Sequence, residues 1–162
     1  MSSSPAPAAT TVDNAATVAA IYDAFGRGDV PAILERLADD VAWEQWPDNF
    51  AQRVGVPHLV PRRGRADVAG FFGLIGAWTV LDFAVLDLIG TGRQVAAEVR
   101  ASFALPGGAR FSDEELHLWT FGKDGRVVRF RHYCDTAEHI AASEGLDTVA
   151  GRPDLSRGRP RR

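Results

Sequence analysis

The apolar pattern of this chain changes period once, and that change limits the folds open to it. Between residues 14 and 78 apolar side chains recur at helical spacing, apart from one short alternating stretch. From residue 80 to residue 134 they alternate, in four runs separated by the turn sequences GTG, PGG and GKDG. Helical spacing gathers residues three and four apart on one side. Alternation puts every second residue on one face of a strand. Helices first and hairpin-linked strands later predict an α+β fold, a curved sheet with helices on one face.

The helical half carries its own punctuation. Asp13 or Asn14 caps a helix over 14–27, with Val18, Ile21, Tyr22 and Phe25 on its apolar stripe. Gly26 and Gly28 end it. Asp29 caps a second helix, VPAILERLA, with Pro31 in its first turn, and Asp39-Asp40 breaks it. VAWEQW, 41–46, alternates and reads as a strand. The three-proline stretch 47–64 reads as a long loop, of a length that is usually functional or mobile. A third helix follows over 65–78. After the strands, Asp135 and Glu138 fit a capping box for a last helix over 136–143. Residues 1–12 have almost no large apolar groups, and 146–162 is Arg-rich with Gly and Pro; both read as disordered arms around one domain, 13–145, the second a solvated tail.

Composition excludes several function classes. A net charge of -3 gives no general pull toward nucleic acid or an anionic membrane. No run approaches the roughly 18 apolar residues of a membrane span, and the start MSSSPAPAATT has neither the basic nor the apolar region of a secretory signal. Cys134 is the only cysteine, so no intrachain disulfide forms, and a reducing, cytoplasmic setting is expected. No phosphate-binding glycine loop and no GxSxG elbow are present.

The candidate chemistry lies in the last hairpin, LHLWTFGKDGRVVRFRHYCD, 116–135. If Gly122 pairs with Gly125, Glu115 faces His132; if Asp124 and Gly125 make the turn, His117 faces His132. Either register leaves Glu115, His117, Trp119, Phe121, Val128, Phe130, His132 and Cys134 on one face. The other face carries Arg129 and Arg131 and is the wetter one, so the first face meets the helices. Glu115, His117 and His132 thus sit among aromatics, where an unpartnered polar group costs roughly 1–3 kcal/mol. Either they form a satisfied structural pair at the sheet rim or they work in a cavity. In a cavity they would transfer protons, because an imidazole titrates near neutrality. Trp43 and Gln45 share the inward face of the first strand, Trp46, Phe50 and Trp78 are expected at the rim, and Cys134 is expected to act as a small hydrophobe. His58 is expected at the surface, and His139 on the exposed side of the last helix. A metal site from Glu115, His117 and His132 has no signature such as H-E-x-x-H behind it, so no metal is expected.

Two segments resemble a known family. YDAFGRGDVPAILERLADDVAWE, 22–44, is similar to the opening of the nuclear transport factor 2-like superfamily: an amphipathic helix, a GD turn, a second helix, and "ADD" before a strand. RVVRFRHYCDTAEHIAA, 126–142, is similar to the ending of its SnoaL-like branch, with Arg131, Tyr133 and Asp135 in the R-x-Y-x-D pattern. The resemblance spans about 14–143 and includes ketosteroid isomerases, SnoaL-like polyketide cyclases and limonene epoxide hydrolases. It implies a conical half-barrel, a sheet wrapped over three N-terminal helices with a pocket at the wide end. Carried over by position, the isomerase base falls near Gln45, its oxyanion-side acid at His117, and its phenol near Ile21, one residue from Tyr22. The hydrolase triad's second Asp falls at His132, while Glu98 and Arg100 lie opposite the apolar face of their strand. The SnoaL-like cyclases fit best, with His132 in the acid/base slot.

The expected activity is therefore cofactor-free acid/base catalysis, of isomerase or cyclase type, on a hydrophobic polyketide-, steroid- or terpenoid-like molecule. His132 would be the acid or base, Glu115 its orienting partner, and His117 or Tyr22 an oxyanion donor. Trp43, Gln45, Trp119, Phe130 and Cys134 would bind substrate. The rivals are a ligand-binding module without turnover, a dimeric interaction domain and an epoxide hydrolase. The expected partners are a small hydrophobic molecule and, through the outer sheet face, a second copy of the chain.

Overall fold

The computed structural model describes residues 13–90 and 92–152. The elements run α1 (Asn14–Gly26), α2 (Val30–Leu34), β1 (Leu37–Gln45), α3 (Phe50–Arg53), a 3-10 turn (Pro57–Leu59), β2 (Arg62–Arg63), α4 (Gly64–Ile75), β3 (Thr79–Ile89), β4 (Gln94–Ala104), β5 (Arg110–Phe121), β6 (Val127–Tyr133) and α5 (Thr136–Ser143). The sheet has six strands in the order β2-β1-β6-β5-β4-β3 and is not closed. The expected meander is present as β3 to β6, each strand antiparallel to the next. β1 adds to it by pairing parallel to β6, which makes the sheet mixed. This α+β architecture, with helices against one face of a curved sheet, is the expected cone.

The predicted caps are in place. The Asp13 side chain accepts from the Ala16 N–H and the Asp29 side chain from the Ala32 N–H, each satisfying an amide that the helix start leaves open. Val18 and Ile21 on α1, Ile33 on α2 and Val68 on α4 are buried against Val41, Val95, Trp119 and Phe130 of the sheet. The core is thus apolar at its narrow end, and the strands curve past it.

Four expectations change. α2 ends at Leu34, because Leu37 and Val41 are fully buried in the sheet and β1 begins at Leu37. The register of β1 on β6 slips between Leu37 and Ala42, which turns Asp39 and Asp40 out to solvent. The guanidinium groups of Arg65 and Arg126 donate to the Leu37 carbonyl at this irregularity. Second, the stretch 47–64 is not one loop: it holds α3, the 3-10 turn and β2, and Ala51, Val56 and Leu59 make a small core against Cys134 and Ile140. Asn49 caps α3 by accepting from the Gln52 N–H. Third, a shift between Thr120 and Phe121 in the last hairpin turns Val127 inward in place of Val128. Fourth, residues 146–152 pack on the domain. The Thr148 N–H donates to the Arg110 carbonyl, Arg110 pairs with Asp147 at 2.7 Å, and Arg152 pairs with Glu138. The rest of the expected tail and the arm 1–12 lie outside the described residues.

The start of α5 is tied to the sheet as well as capped. The Asp135 side chain accepts from the Ala137 and Glu138 amides, and the Asp135 N–H itself donates to Asp113 on β5. This fixes the helical phase that carries His139 inward. Asp135→Ala should lower stability by about 1 kcal/mol in urea unfolding. It should also broaden the His139 ring resonance in NMR spectra.

Candidate functional site

The sheet and helices leave a cavity with about 90 Å³ of room for the centre of a water-sized sphere, several times the ~10–15 Å³ that one water needs. One side is aromatic. The Trp43 and Phe130 rings stack at 4.0 Å, and Phe72 meets Trp43 edge-on at 5.7 Å. The other side is polar, and all four histidines of the chain converge on it. Alternation along β5 brings Asp113, Glu115, His117 and Trp119 to this side. His132 comes from β6, directly opposite His117, so the second of the two predicted registers is the one formed.

Glu115 is the hub. Its carboxylate accepts from His117 Nε2 at 2.9 Å, and His132 Nε2 stands 3.1 Å from the same oxygen, Oε2. His139 Nε2 lies 3.6 Å from Oε1 and 3.3 Å from Asp113. The His132 approach is off the hydrogen-bond line, which leaves Nε2 buried without a hydrogen-bond partner. Each ring is held from behind. The Tyr22 hydroxyl meets His117 Nδ1 at 2.8 Å while accepting from the Trp119 indole N–H at 3.1 Å. The Gln45 amide meets His132 Nδ1 at 2.6 Å. His139 Nδ1 meets His58 Nε2 at 2.8 Å.

Burial and charge oppose each other in this cluster. Burial alone would raise the Glu115 carboxyl, but the electrostatic pull of the adjacent His132 ring, the hydrogen bond from His117 and the nearby His139 outweigh it and hold the group well below the ordinary carboxylate range. Burial lowers His117, although Glu115 works against the shift. His139 goes the other way: despite burial, hydrogen bonds to Asp113, Cys134 and Glu115 hold it well above an ordinary histidine. Burial, with the neighbouring His139 charge, pushes His58 down to about 2. At neutral pH the cluster therefore contains a His139 imidazolium, a neutral His58 and an ionised Glu115. His139 donates both ring protons, one to Asp113 and one to His58. Burial also raises the Tyr22 phenol, so it stays protonated.

Most predicted site residues are brought together here. Glu115, His117, His132, Tyr22, Trp43, Trp119 and Phe130 all line the cavity. Gln45 and Cys134 do not: Gln45 stands behind His132, and Cys134 Sγ lies 3.8 Å from the Gln45 amide oxygen beside the small core. Trp78 lines the cavity, whereas Trp46 and Phe50 are 58% and 63% exposed and do not line it. Two expectations are overturned. His58 is buried, edge-on to Trp78 at 4.7 Å, because the 3-10 turn folds it under the sheet. His139 is 2% exposed, because α5 lays this side against β5. Asp113 is the site residue that the sequence reading omits, although it shares the strand phase of Glu115 and His117.

The SnoaL-like domain profile matches residues 18–130, well over half the chain. The chain belongs to that family. Among solved structures, a nuclear transport factor 2-like protein from Burkholderia pseudomallei is 28% identical to this SnoaL-like domain. The match covers 84% of this chain and 98% of that one, with a TM-score of 0.68. TerC, crystallised with polyporic acid, is 21% identical over 81% of this chain and 98% of its own, with a TM-score of 0.66. SalBIII, an epoxide hydrolase/cyclase-like enzyme of pyran ring formation in the polyether salinomycin, is 20% identical over 77% and 92%, with a TM-score of 0.61. These two likenesses establish the shared fold. No curated protein matches the chain. Among the described residues no helix is long and apolar enough to cross a membrane.

Buried His58 makes the SnoaL-like domain acid-sensitive. His58 takes up a proton near pH 6.5 when unfolded but only near pH 2 when folded, so the unfolded state binds more protons between these values. Stability from this group is present above pH 6.5 and falls as pH drops. At pH 5 the loss relative to pH 7 should be about 2 kcal/mol. His139 has the opposite sign, its contribution being complete below pH 6.5 and lost as pH rises through its elevated folded value. Urea unfolding of His58→Gln at pH 5 and 7 should show a smaller loss than the wild-type chain.

Proposed function

We propose that this SnoaL-like domain is an enzyme using acid/base catalysis, of isomerase or cyclase type, on a hydrophobic ring-bearing molecule. One observation carries the reading: His132 Nε2 has no hydrogen-bond partner, and it sits beside an ionised carboxylate at the polar end of an aromatic cavity. A ligand whose rings lie against Trp43 and Phe130 would present its polar edge to that nitrogen. With Nδ1 donating to the Gln45 amide oxygen, after exchange of the amide's two ends, Nε2 carries the lone pair of a base. With the Gln45 NH₂ donating to Nδ1, the neutral ring keeps its proton on Nε2 and donates a hydrogen bond to a ligand oxygen there. Glu115 stabilises the imidazolium that forms when His132 takes a proton. The Tyr22 hydroxyl can turn from His117 to a ligand oxygen while the Trp119 N–H holds it in position, which supplies a donor for developing oxyanion charge. The crystallisation of TerC with polyporic acid and the role of SalBIII in pyran ring formation support a ring-bearing or ring-forming substrate.

The reading also includes a homodimer. Strand β3 is a sheet edge, and Val80, Leu81, Leu86 and Ile89 on it are exposed, as is Leu116 on the outer face of β5. A long apolar edge is a surface that another chain covers. Light scattering should give twice the chain mass, and Leu86→Lys should shift the population toward monomer.

The catalytic test is an NMR titration of His117 and His132, with and without a panel of hydrophobic ketones and epoxides. The His132 ring should respond to at least one ligand. For the turned-over compound, His132→Ala should reduce kcat by roughly 10²–10⁴-fold. Ligand response without turnover of any compound would leave a carrier. Silence of both rings toward every ligand would leave a sealed structural cluster.

A further inference from the structure

We propose that Glu115, His117 and His132 form a binding site for a divalent transition metal of the zinc class, with a fourth coordination place open to the cavity. Such a site draws on the same side chains as the acid/base reading and goes beyond it. Two imidazoles and one carboxylate are a ligand set that zinc accepts, leaving a place for water or substrate. Their ligand atoms lie within 4.8 Å of one another. The carboxylate oxygen is 2.9 and 3.1 Å from the two Nε2 atoms. Bonds of about 2.0–2.2 Å in a tetrahedron require edges of roughly 3.3 Å, so the two edges that meet at the carboxylate oxygen need to lengthen by only a few tenths of an ångström.

The surroundings fit a metal as well. A ligating histidine has its far nitrogen bonded to an orienting group. Here His117 Nδ1 meets the Tyr22 hydroxyl and His132 Nδ1 meets the Gln45 amide. Both partners can accept: the hydroxyl by rotating, the amide by exchanging its ends. That places the protons on Nδ1 and frees both Nε2 lone pairs. His132 Nε2 already has no hydrogen-bond partner.

Two overlapping groups are less suited. Both Asp113–Glu115–His139 and His132–Cys134–His139 use His139, whose two ring nitrogens are already engaged by His58 and Asp113. Cys134 Sγ lies against the Gln45 amide oxygen and does not line the cavity. The metal and the proton would compete for the same His132 nitrogen, so bound Zn²⁺ would silence the acid/base function.

The test uses the full chain, freed of metal with a chelator and titrated with Co²⁺ and Zn²⁺. One equivalent of Co²⁺ should give the visible bands of a four- or five-coordinate ion without a thiolate band. In ¹⁵N-histidine spectra Zn²⁺ should move the Nε2 signals of His117 and His132 and leave His139 in place. Gln45→Leu should weaken Zn²⁺ binding by roughly 10–100-fold, as for an orienting partner, and His132→Ala by more. Cys134→Ala should bind as the wild-type chain does. No one-to-one binding, a thiolate band, or shifts confined to His58 and His139 would overturn the proposal. Because the spectra need no substrate, a failed metal site leaves the ligand titration of His132 untouched, and the reverse also holds.

Discussion

A single carboxylate organises this molecule's interior. An ionised Glu115, buried among aromatic rings, would be strongly unfavourable alone. It is stable there because imidazoles from β5, β6 and α5 surround it, and each imidazole is held in turn by a group behind it. Removing any one of them leaves a buried charge less compensated, so the elements that deliver them have little freedom to move independently. The direct pairing of His117 with His132, the capped start of α5 and the inward fold of the 3-10 turn all serve one electrostatic requirement.

The cluster divides its charge unequally. His139 holds a proton and is saturated by acceptors, whereas His132 is left one hydrogen bond short on the side facing the cavity. The first arrangement suits structure. The second suits chemistry, because an unsatisfied buried nitrogen gains from any ligand that reaches it, whether proton, substrate oxygen or metal ion. Two histidines within one ring-contact distance of each other therefore take different parts, set by their partners rather than by residue type.

The strands, and the residues placed by strand alternation, are legible in the sequence. Period two along β5 puts Glu115, His117 and Trp119 on one face without any knowledge of the helices, and the two histidines of the last hairpin follow. Tyr22 is legible because helical spacing puts it on the α1 stripe. Legibility ends where position depends on distant contacts. His58 sits in a short proline-started turn whose burial is decided by Trp78 and His139, far away in sequence. His139 cannot be phased without knowing which side of α5 meets β5. Leu37 continues a helical pattern locally, and only the pairing of β1 with β6 makes it a strand residue. The bulge that exchanges Val127 for Val128 leaves no local signal.

The parallel pairing of β1 with β6 has a consequence for how the chain is made. Gln45 and His132 meet only when the first strand is joined by the last, after nearly the whole domain is available. Contacts this far apart in sequence form late and slowly. During synthesis Glu115 and His117 emerge before His132 and His139, so the acid exists for a time with only part of its cationic shell. In that interval it must stay hydrated, and the sheet cannot close over it. The carboxylate that stabilises the finished interior has only part of its compensation on any chain that stops short of His132 and His139.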